Sequence, residues 1–162
     1  MVDIQTAPDE ACPVVSVQLR RLGSGDLAAI ESHLLELDAV SRNSRFHCGF
    51  GDAAVAGYVR SLDDTVDVLF GAIESRNGRM VGLAEARPAE APGTVELAVS
   101  VLPTHRRHGL GHELLRRAAS AAFARGMTVA HLLVAPDNVA AARTAATLGA
   151  RFRAPGRAVL LA

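Results

Sequence analysis

The sequence contains no lysine: all 17 of its Lys and Arg positions are arginine. Arginine stays protonated and pairs bidentately with phosphates and carboxylates, but it supplies no Schiff-base or general-base amine. A P-loop is excluded for the same reason, since its Gly-Lys-Ser/Thr core requires lysine. Cysteine is scarce. Cys12 and Cys48 provide neither a disulfide framework nor a metal quartet. No stretch approaches the ~18 consecutive apolar residues of a membrane span. Charge of one sign is also missing, because 17 acidic residues balance the 17 basic ones. That balance removes the electrostatic argument for nucleic acid or an anionic membrane as partner. Residues 1–13 are polar and acidic, lack the basic and apolar regions of a signal peptide, and read as a flexible tail. A cytoplasmic location is the expectation.

What remains is a globular composition, 49% hydrophobic over 162 residues, which suits one domain over 14–162. Val14 to Leu22 alternates as a first strand. Ser24-Gly25-Asp26 offers a helix cap, followed by Leu27, Ile30, Leu34, Leu35 and Leu37 at near-helical spacing. The polar stretch Ser41 to Gly51 reads as loop, and Asp52 to Leu62 as a second helix. Thr65 to Ser75 and Met80 to Ala86 flank the hairpin dipeptide Asn77-Gly78. Thr94 to Leu102 is a further strand. Leu110, Leu114, Leu115, Ala118 and Ala122 then line one face of a helix with Arg116, Arg117 and Arg125 opposite. Thr128 to Val134 reads as a strand, Asn138 to Leu148 as a helix stopped by Gly149, and Phe152 to Leu161 as a strand pair around Pro155-Gly156. The order β-α-α-β-β-β-α-β-α-β-β implies an α/β fold with a mixed central sheet and helices on both faces.

The segment Val95 to Gly111 runs strand, turn, then glycine-bearing helix start. The first turn of a helix presents unpaired N–H groups and a positive dipole end, so it binds anions. Gly109 and Gly111 let phosphate oxygens approach without a Cβ in the way. Cations at a helix N-terminus are unfavourable by a few tenths of a kcal/mol up to ~1. Here Arg106, Arg107, His108 and His112 crowd that end, opposed by Glu113 alone, and an anionic ligand resolves the conflict. A dinucleotide fingerprint requires a third glycine at position 114, which is leucine.

Arg106-x-x-Gly109-x-Gly111 after an apolar strand, with Asn138 to Gly149 downstream, resembles the GNAT superfamily of acetyl-CoA-dependent N-acetyltransferases. The resemblance runs from about Val14 to the C-terminus and is most specific over Val95 to Phe152. It implies acetyl-CoA as cosubstrate, its pyrophosphate on the amides of Arg107, His108, Gly109, Leu110 and Gly111 beside Arg106. It also implies that the pantetheine arm pairs like an extra strand with the backbone near Val99 and Val101. Asn138 matches the asparagine opening the family's second cofactor-contacting helix, and asparagine is equally a good plain N-cap.

Amine acetylation needs a base, because an alkyl amine with a pKa of ~10.4 attacks only when neutral. Glu96, on the strand leading to the loop, matches the position of a water-relaying glutamate in many family members. It shares a face with Ala98 and Ser100. Backbone N–H groups near Val99 to Val101 are expected to hold the oxyanion. One departure stands out. The family's usual tyrosine, seven residues after the asparagine, is replaced by Ala145, and Tyr58 is the only tyrosine in the chain. A thiol with a pKa near ~8.5 leaves adequately as thiolate or with a proton from water.

His105, His108 and His112 straddle loop and helix without an acidic or cysteine partner at zinc spacing, so no metal is expected. His131 reads as a sheet histidine. Ser41-Arg42-Asn43-Ser44-Arg45-Phe46 bears a faint resemblance to the serine and Arg-Phe loop of bacterial GNAT domains that acetylate protein lysines. The acceptor amine, small molecule or protein, stays open, as does a homodimer. Two other readings stand beside an acetyltransferase: an acyl-CoA-binding sensor without turnover, favoured by Ala145, and a dinucleotide-dependent enzyme, opposed by Leu114.

Overall fold

The computed structural model describes residues 16–135, 138–154 and 156–162. Residues 1–13, with Cys12, and Val14 and Pro155, all named above, lie outside them. In chain order the elements are β1 (Val17–Arg21), α1 (Leu27–Leu35), α2 (Ala39–Phe46), α3 (Asp52–Arg60), β2 (Val68–Glu74), β3 (Met80–Pro88), β4 (Thr94–Val101), α4 (Leu110–Ala124), β5 (Val129–Leu133), α5 (Val139–Thr147), β6 (Arg151–Ala154) and β7 (Arg157–Leu161). Short 3-10 turns precede α1 and follow β4. The strands form one seven-stranded sheet in the order β1-β2-β3-β4-β5-β7-β6. Among the described strands only β4 and β5 run parallel. The mixed α/β architecture is the expected one, with one helix more.

That extra helix is α2, where the sequence reads as loop. Polar contacts build it. The Asp38 carboxylate accepts from the Ser41 amide at 2.7 Å, which caps the first turn. Arg42 reaches the Leu35 carbonyl at the end of α1 and Asp52 at the start of α3. His47 closes the helix with a left-handed φ of 57°. None of its residues is fully buried. It therefore carries no apolar stripe for a periodicity argument to find.

Alternation along β4 assigns the helices to faces, because neighbouring strand residues point to opposite sides. Ser100 bonds His33 of α1, whereas a Cβ at Gly111 of α4 would lie 3.7 Å from Val101 and 4.0 Å from Val99. So α1 covers one face and α4 the other. Close packing of α4 depends on Gly82 in β3, where a Cβ would come within 2.9 Å of Leu114. Ile30 and Leu34 are fully buried in α1, and Leu110, Leu114, Leu115, Ala118 and Ala122 form the apolar stripe of α4.

The feature that shapes the site is where β4 and β5 part. They pair from Thr94↔Val129 to Leu97↔Leu132 and no further. Beyond that point β4 stays with β3 as far as Val101↔Gly82, while β5 stays with β7 as far as Leu133↔Arg157. A wedge opens between two strands that remain anchored on their outer sides.

Candidate active site

Among the described residues the wedge leaves backbone groups of β4 without a strand partner. Leu102 donates its amide to Val81 of β3 at 2.9 Å, so even-numbered residues of β4 turn their backbone bonds toward β3. Odd-numbered ones turn toward β5. Val95 and Leu97 lie within the β4–β5 ladder; Val99 and Val101 lie beyond its end, facing the gap. The Val101 carbonyl does face that side, since it accepts from Arg106 Nε at 2.9 Å.

At the end of β4 the chain turns through Pro103–His105 into the loop 106–109. Arg107 and Gly109 both adopt left-handed φ, 67° and 77°. For a non-glycine residue this conformation costs about 1 kcal/mol or more, and it is tolerated where local geometry requires it. Among the described residues, nothing accepts from the amides of residues 107–112, and the first bonded amide is that of Glu113, to the Gly109 carbonyl. Glu113 itself does not neutralise the loop cations. It bridges Arg116 and Arg117 at 2.7 and 2.8 Å, and the hydrogen bond from Arg116, helped by Arg117, holds its carboxyl down at about 2. His105 anchors the loop from behind, 2.9 Å from the buried carboxylate of Glu74.

Val99, Val101, Arg106, Gly111 and Asn138 come together on the walls of one cavity of about 940 Å³. Arg107, His108, Gly109 and Leu110 form its loop end but do not line it, and the Leu110 side chain is in the core. Glu96 lines a smaller recess of about 60 Å³ that shares Ser44, Arg45, Val99 and Asn138 with the main cavity. Its side chain is exposed, beside His131 of β5 in register. Asn138 does cap its helix, with its oxygen accepting from the Ala141 amide at 2.9 Å. Its Nδ2 donates across the cavity to Ser44 of α2 at 2.8 Å. Arg106 makes the matching crossing, donating to Ser41 Oγ at 2.6 Å, with Asp38 at 3.9 Å. Helix α2 thus straps the mouth of the wedge.

Sequence reasoning missed what holds the strap. The Arg45 side chain of α2, only 8% exposed, lies 2.8 Å from the buried Glu85 carboxylate of β3. Arg45 donates to the Tyr58 hydroxyl at 2.8 Å, and Tyr58 donates to Glu85. Burial works against the Arg45 charge, yet Glu85 holds it protonated above the ordinary arginine range. Burial, reinforced by Glu85, pushes the Tyr58 hydroxyl up to about 12. Tyr58 is therefore engaged elsewhere and does not replace the tyrosine absent at Ala145, which is fully buried. Phe46, Phe50 and Tyr58 stack against this pair, with the Arg45 guanidinium 4.8 Å from the Phe46 ring. Nothing in the polar run around Arg45 marked it as buried. His33 was hidden too, within the apolar stripe of α1. His131 accepts from Arg157, and burial with that neighbouring cation lowers its pKa. Among the described residues no group of three or more His, Cys, Asp or Glu is arranged to hold a metal ion, and no helix is long and apolar enough to cross a membrane.

A protein-family model, the acetyltransferase (GNAT) family, matches residues 31–150. No curated protein matches the chain. Among solved structures, the GNAT domain of S. lividans PAT superposes with a TM-score of 0.75 at 21% identity, covering 90% of each chain. The putative acetyltransferase yncA from Salmonella typhimurium, solved with its cofactor acetyl-CoA, gives 0.69 at 22% identity over 90% of this chain and 94% of that one. Spermidine N-acetyltransferase from Vibrio cholerae, in complex with CoA and spermine, gives 0.66 at 20% identity over 90% and 95%. At these identities the structures speak for the fold, and the family model, spanning most of the sequence, speaks for descent. With that model matched over most of its length, and with a fold that superposes on these structures, the chain belongs to the acetyltransferase (GNAT) family.

Proposed function

We propose that this chain transfers the acetyl group of acetyl-CoA to a primary amine by direct attack, with residues 14–162 as one acetyltransferase domain. The observation that carries this reading is the wedge itself: the backbone of Val99 and Val101 turned to an unfilled strand position, ending at a helix start with free amides. A pantetheine arm has amides of its own and fits such a position as an added strand. The pyrophosphate fits the amides of Arg107, His108, Gly109, Leu110 and Gly111, with the Arg106 and Arg107 charges beside it. Arg107 has no ion-pair partner among the described residues. Gly111, with no Cβ, leaves the floor of the cavity open. Asn138 joins as N-cap of α5 at the opposite wall. Acetyl-CoA, once bound, supplies an activated thioester.

In this reading Glu96 takes the amine proton through water. It lies on β4, on the face shared with Ser100, and its exposed carboxylate can pass the proton on to solvent. No side chain is assigned as general acid, and the thiolate leaves with a proton from water. The acceptor is a small molecule or a protein amine entering under α2.

Glu96→Gln tests this. It keeps the shape of the side chain but removes its capacity to take a proton. Acetylation of an accepted amine at pH 7 should fall by roughly 10²–10⁴-fold. Acetyl-CoA affinity should stay within a few-fold, and the deficit should shrink toward pH 9.5 as more amine is already neutral. Thiol-release rates from pH 6.5 to 9.5 give the answer. A wild-type rate at pH 7 removes Glu96 from the mechanism. Binding of acetyl-CoA with no turnover of any amine by the native protein would favour a sensor.

A further inference from the structure

His33 and Ser100 form a hydrogen-bonded pair that neither cofactor binding nor Glu96 uses. His33 lies on α1, 1% exposed. Ser100 lies on β4 between Val99 and Val101 and lines the cavity of about 940 Å³. The imidazole is held at both nitrogens, with Nδ1 3.2 Å from the Met80 carbonyl oxygen and Nε2 2.9 Å from Ser100 Oγ. A carbonyl oxygen only accepts, so Nδ1 carries the hydrogen. In a neutral ring Nε2 is then bare and only accepts, so Ser100 donates its hydroxyl proton to it. Neutrality follows from burial, which pushes His33 down to about 4. Glu36 and Glu85, facing the ring, oppose that shift, and Arg45 adds to it. The consequence falls on the cavity. With its proton committed inward, Ser100 Oγ offers the cleft nothing but lone pairs.

We propose that Ser100, oriented by His33, accepts a hydrogen bond from the incoming amine and thereby makes the site selective for primary over secondary amines. The inference rests on the amine-acetylation reading above. A neutral primary amine has two N–H bonds. One donates to Ser100 Oγ and fixes the direction of the nitrogen lone pair. The other is the bond broken when the proton leaves through water to Glu96. As the C–N bond forms, the thioester C–S bond breaks, and the thiolate takes a proton from water. Ser100 and His33 exchange no proton. A secondary amine has a single N–H, which must serve as anchor and be lost as well, so it binds without the anchor when it reacts.

The test uses the full chain, a matched pair of a primary amine and its N-methyl derivative, and three variants. In Ser100→Ala the KM for the primary amine should rise about tenfold, the worth of one neutral hydrogen bond. The KM for the N-methyl amine and the affinity for acetyl-CoA should not move. Ser100→Cys, near in volume but a weak acceptor, should lose the preference in the same way. Ser100→Thr keeps the hydroxyl and should keep the preference. Independently of turnover, ¹⁵N NMR of the native imidazole should show Nδ1 protonated and Nε2 bare at pH 7, with the ring neutral down to about pH 5. The opposite tautomer, or an unchanged primary-to-secondary ratio in both Ser100→Ala and Ser100→Cys, overturns the inference while leaving amine acetylation intact. A native protein that turns over no amine overturns both.

Discussion

The loop 106–111 and helix α2 face each other across the same cavity, yet their polar groups are satisfied in opposite ways. On the loop side the amides of residues 107–112 have no acceptor among the described residues, and Glu113 is occupied by Arg116 and Arg117. On the α2 side nearly every charge is matched within the protein: Asp38 caps the helix, Arg42 meets Asp52, and Arg45 meets Glu85. A wall with free donors is organised to hold a ligand, and a wall with internal pairs is organised to hold itself. Substitutions on the first should change binding with little effect on stability. Substitutions on the second should change stability before binding.

The largest effect belongs to the α2 side. Glu85→Ala leaves the Arg45 guanidinium buried without its carboxylate, and Tyr58 without its acceptor. Breaking a buried pair from one side costs about 3–5 kcal/mol, measurable by urea denaturation. Replacing both partners, Arg45→Met with Glu85→Met, should recover much of that loss, because well-packed apolar side chains replace a buried pair at little or no net cost. A single Glu85→Ala variant as stable as the native protein would erase the contrast between the two walls.

The loop side should behave the other way. A Cβ at Gly111 would lie 3.7 Å from Val101, an ordinary contact, and Gly111 is not among the positive-φ residues. Gly111→Asp is therefore tolerated by the fold. It nevertheless points a carboxylate into the cavity where the pyrophosphate is proposed to lie. Like charges brought together at a desolvated site cost several kcal/mol, so acetyl-CoA affinity should fall by at least about 100-fold. Calorimetric titration beside a melting curve separates the two quantities. An unchanged Kd in a folded variant removes the loop from cofactor binding.

The same contrast explains what the sequence disclosed. Strands β2 to β5 and helix α4 were legible because apolar residues recur with the period of their element, as in the Leu110, Leu114 and Ala118 stripe. The loop was legible because glycines and arginines crowd a helix start, where charge preference makes them anomalous. Helix α2 was not legible, since apart from Phe46 its inward contacts come from Ser41, Ser44 and Arg45, which resemble a solvated loop in composition. Glu85 gave no sign either: a lone acidic residue in β3 looks the same whether it faces water or a buried arginine. His33 had the opposite disguise, a polar residue within an apolar stripe, whose partner Ser100 lies 67 residues away.

The smallest effect tests whether α2 also governs access. Ser44 Oγ accepts from Asn138 and Ser41 Oγ accepts from Arg106, and these two bonds span the mouth of the wedge. Ser44→Ala removes one of them without touching the Arg45–Glu85 anchor or the Asn138 cap, whose oxygen still serves Ala141. Asn138 is only half-buried, so water can satisfy its freed Nδ2, and the loss should be about 0.5–1.5 kcal/mol or less. If the strap must lift for acetyl-CoA to enter, that loss stabilises the open form relative to the closed one. Stopped-flow association should then speed up by a few-fold. Hydrogen exchange at the α2 amides should rise by a similar factor, while exchange in β3 and α4 stays unchanged. Ser41→Ala should act in the same direction but less cleanly, because Ser41 also donates to Asp38 in the cap. An association rate indifferent to Ser44→Ala, with faster exchange confined to α2, would mean that the cofactor enters past a closed strap. Helix α2 would then be a wall of the acceptor side alone, and the two sides of the cavity would be independent.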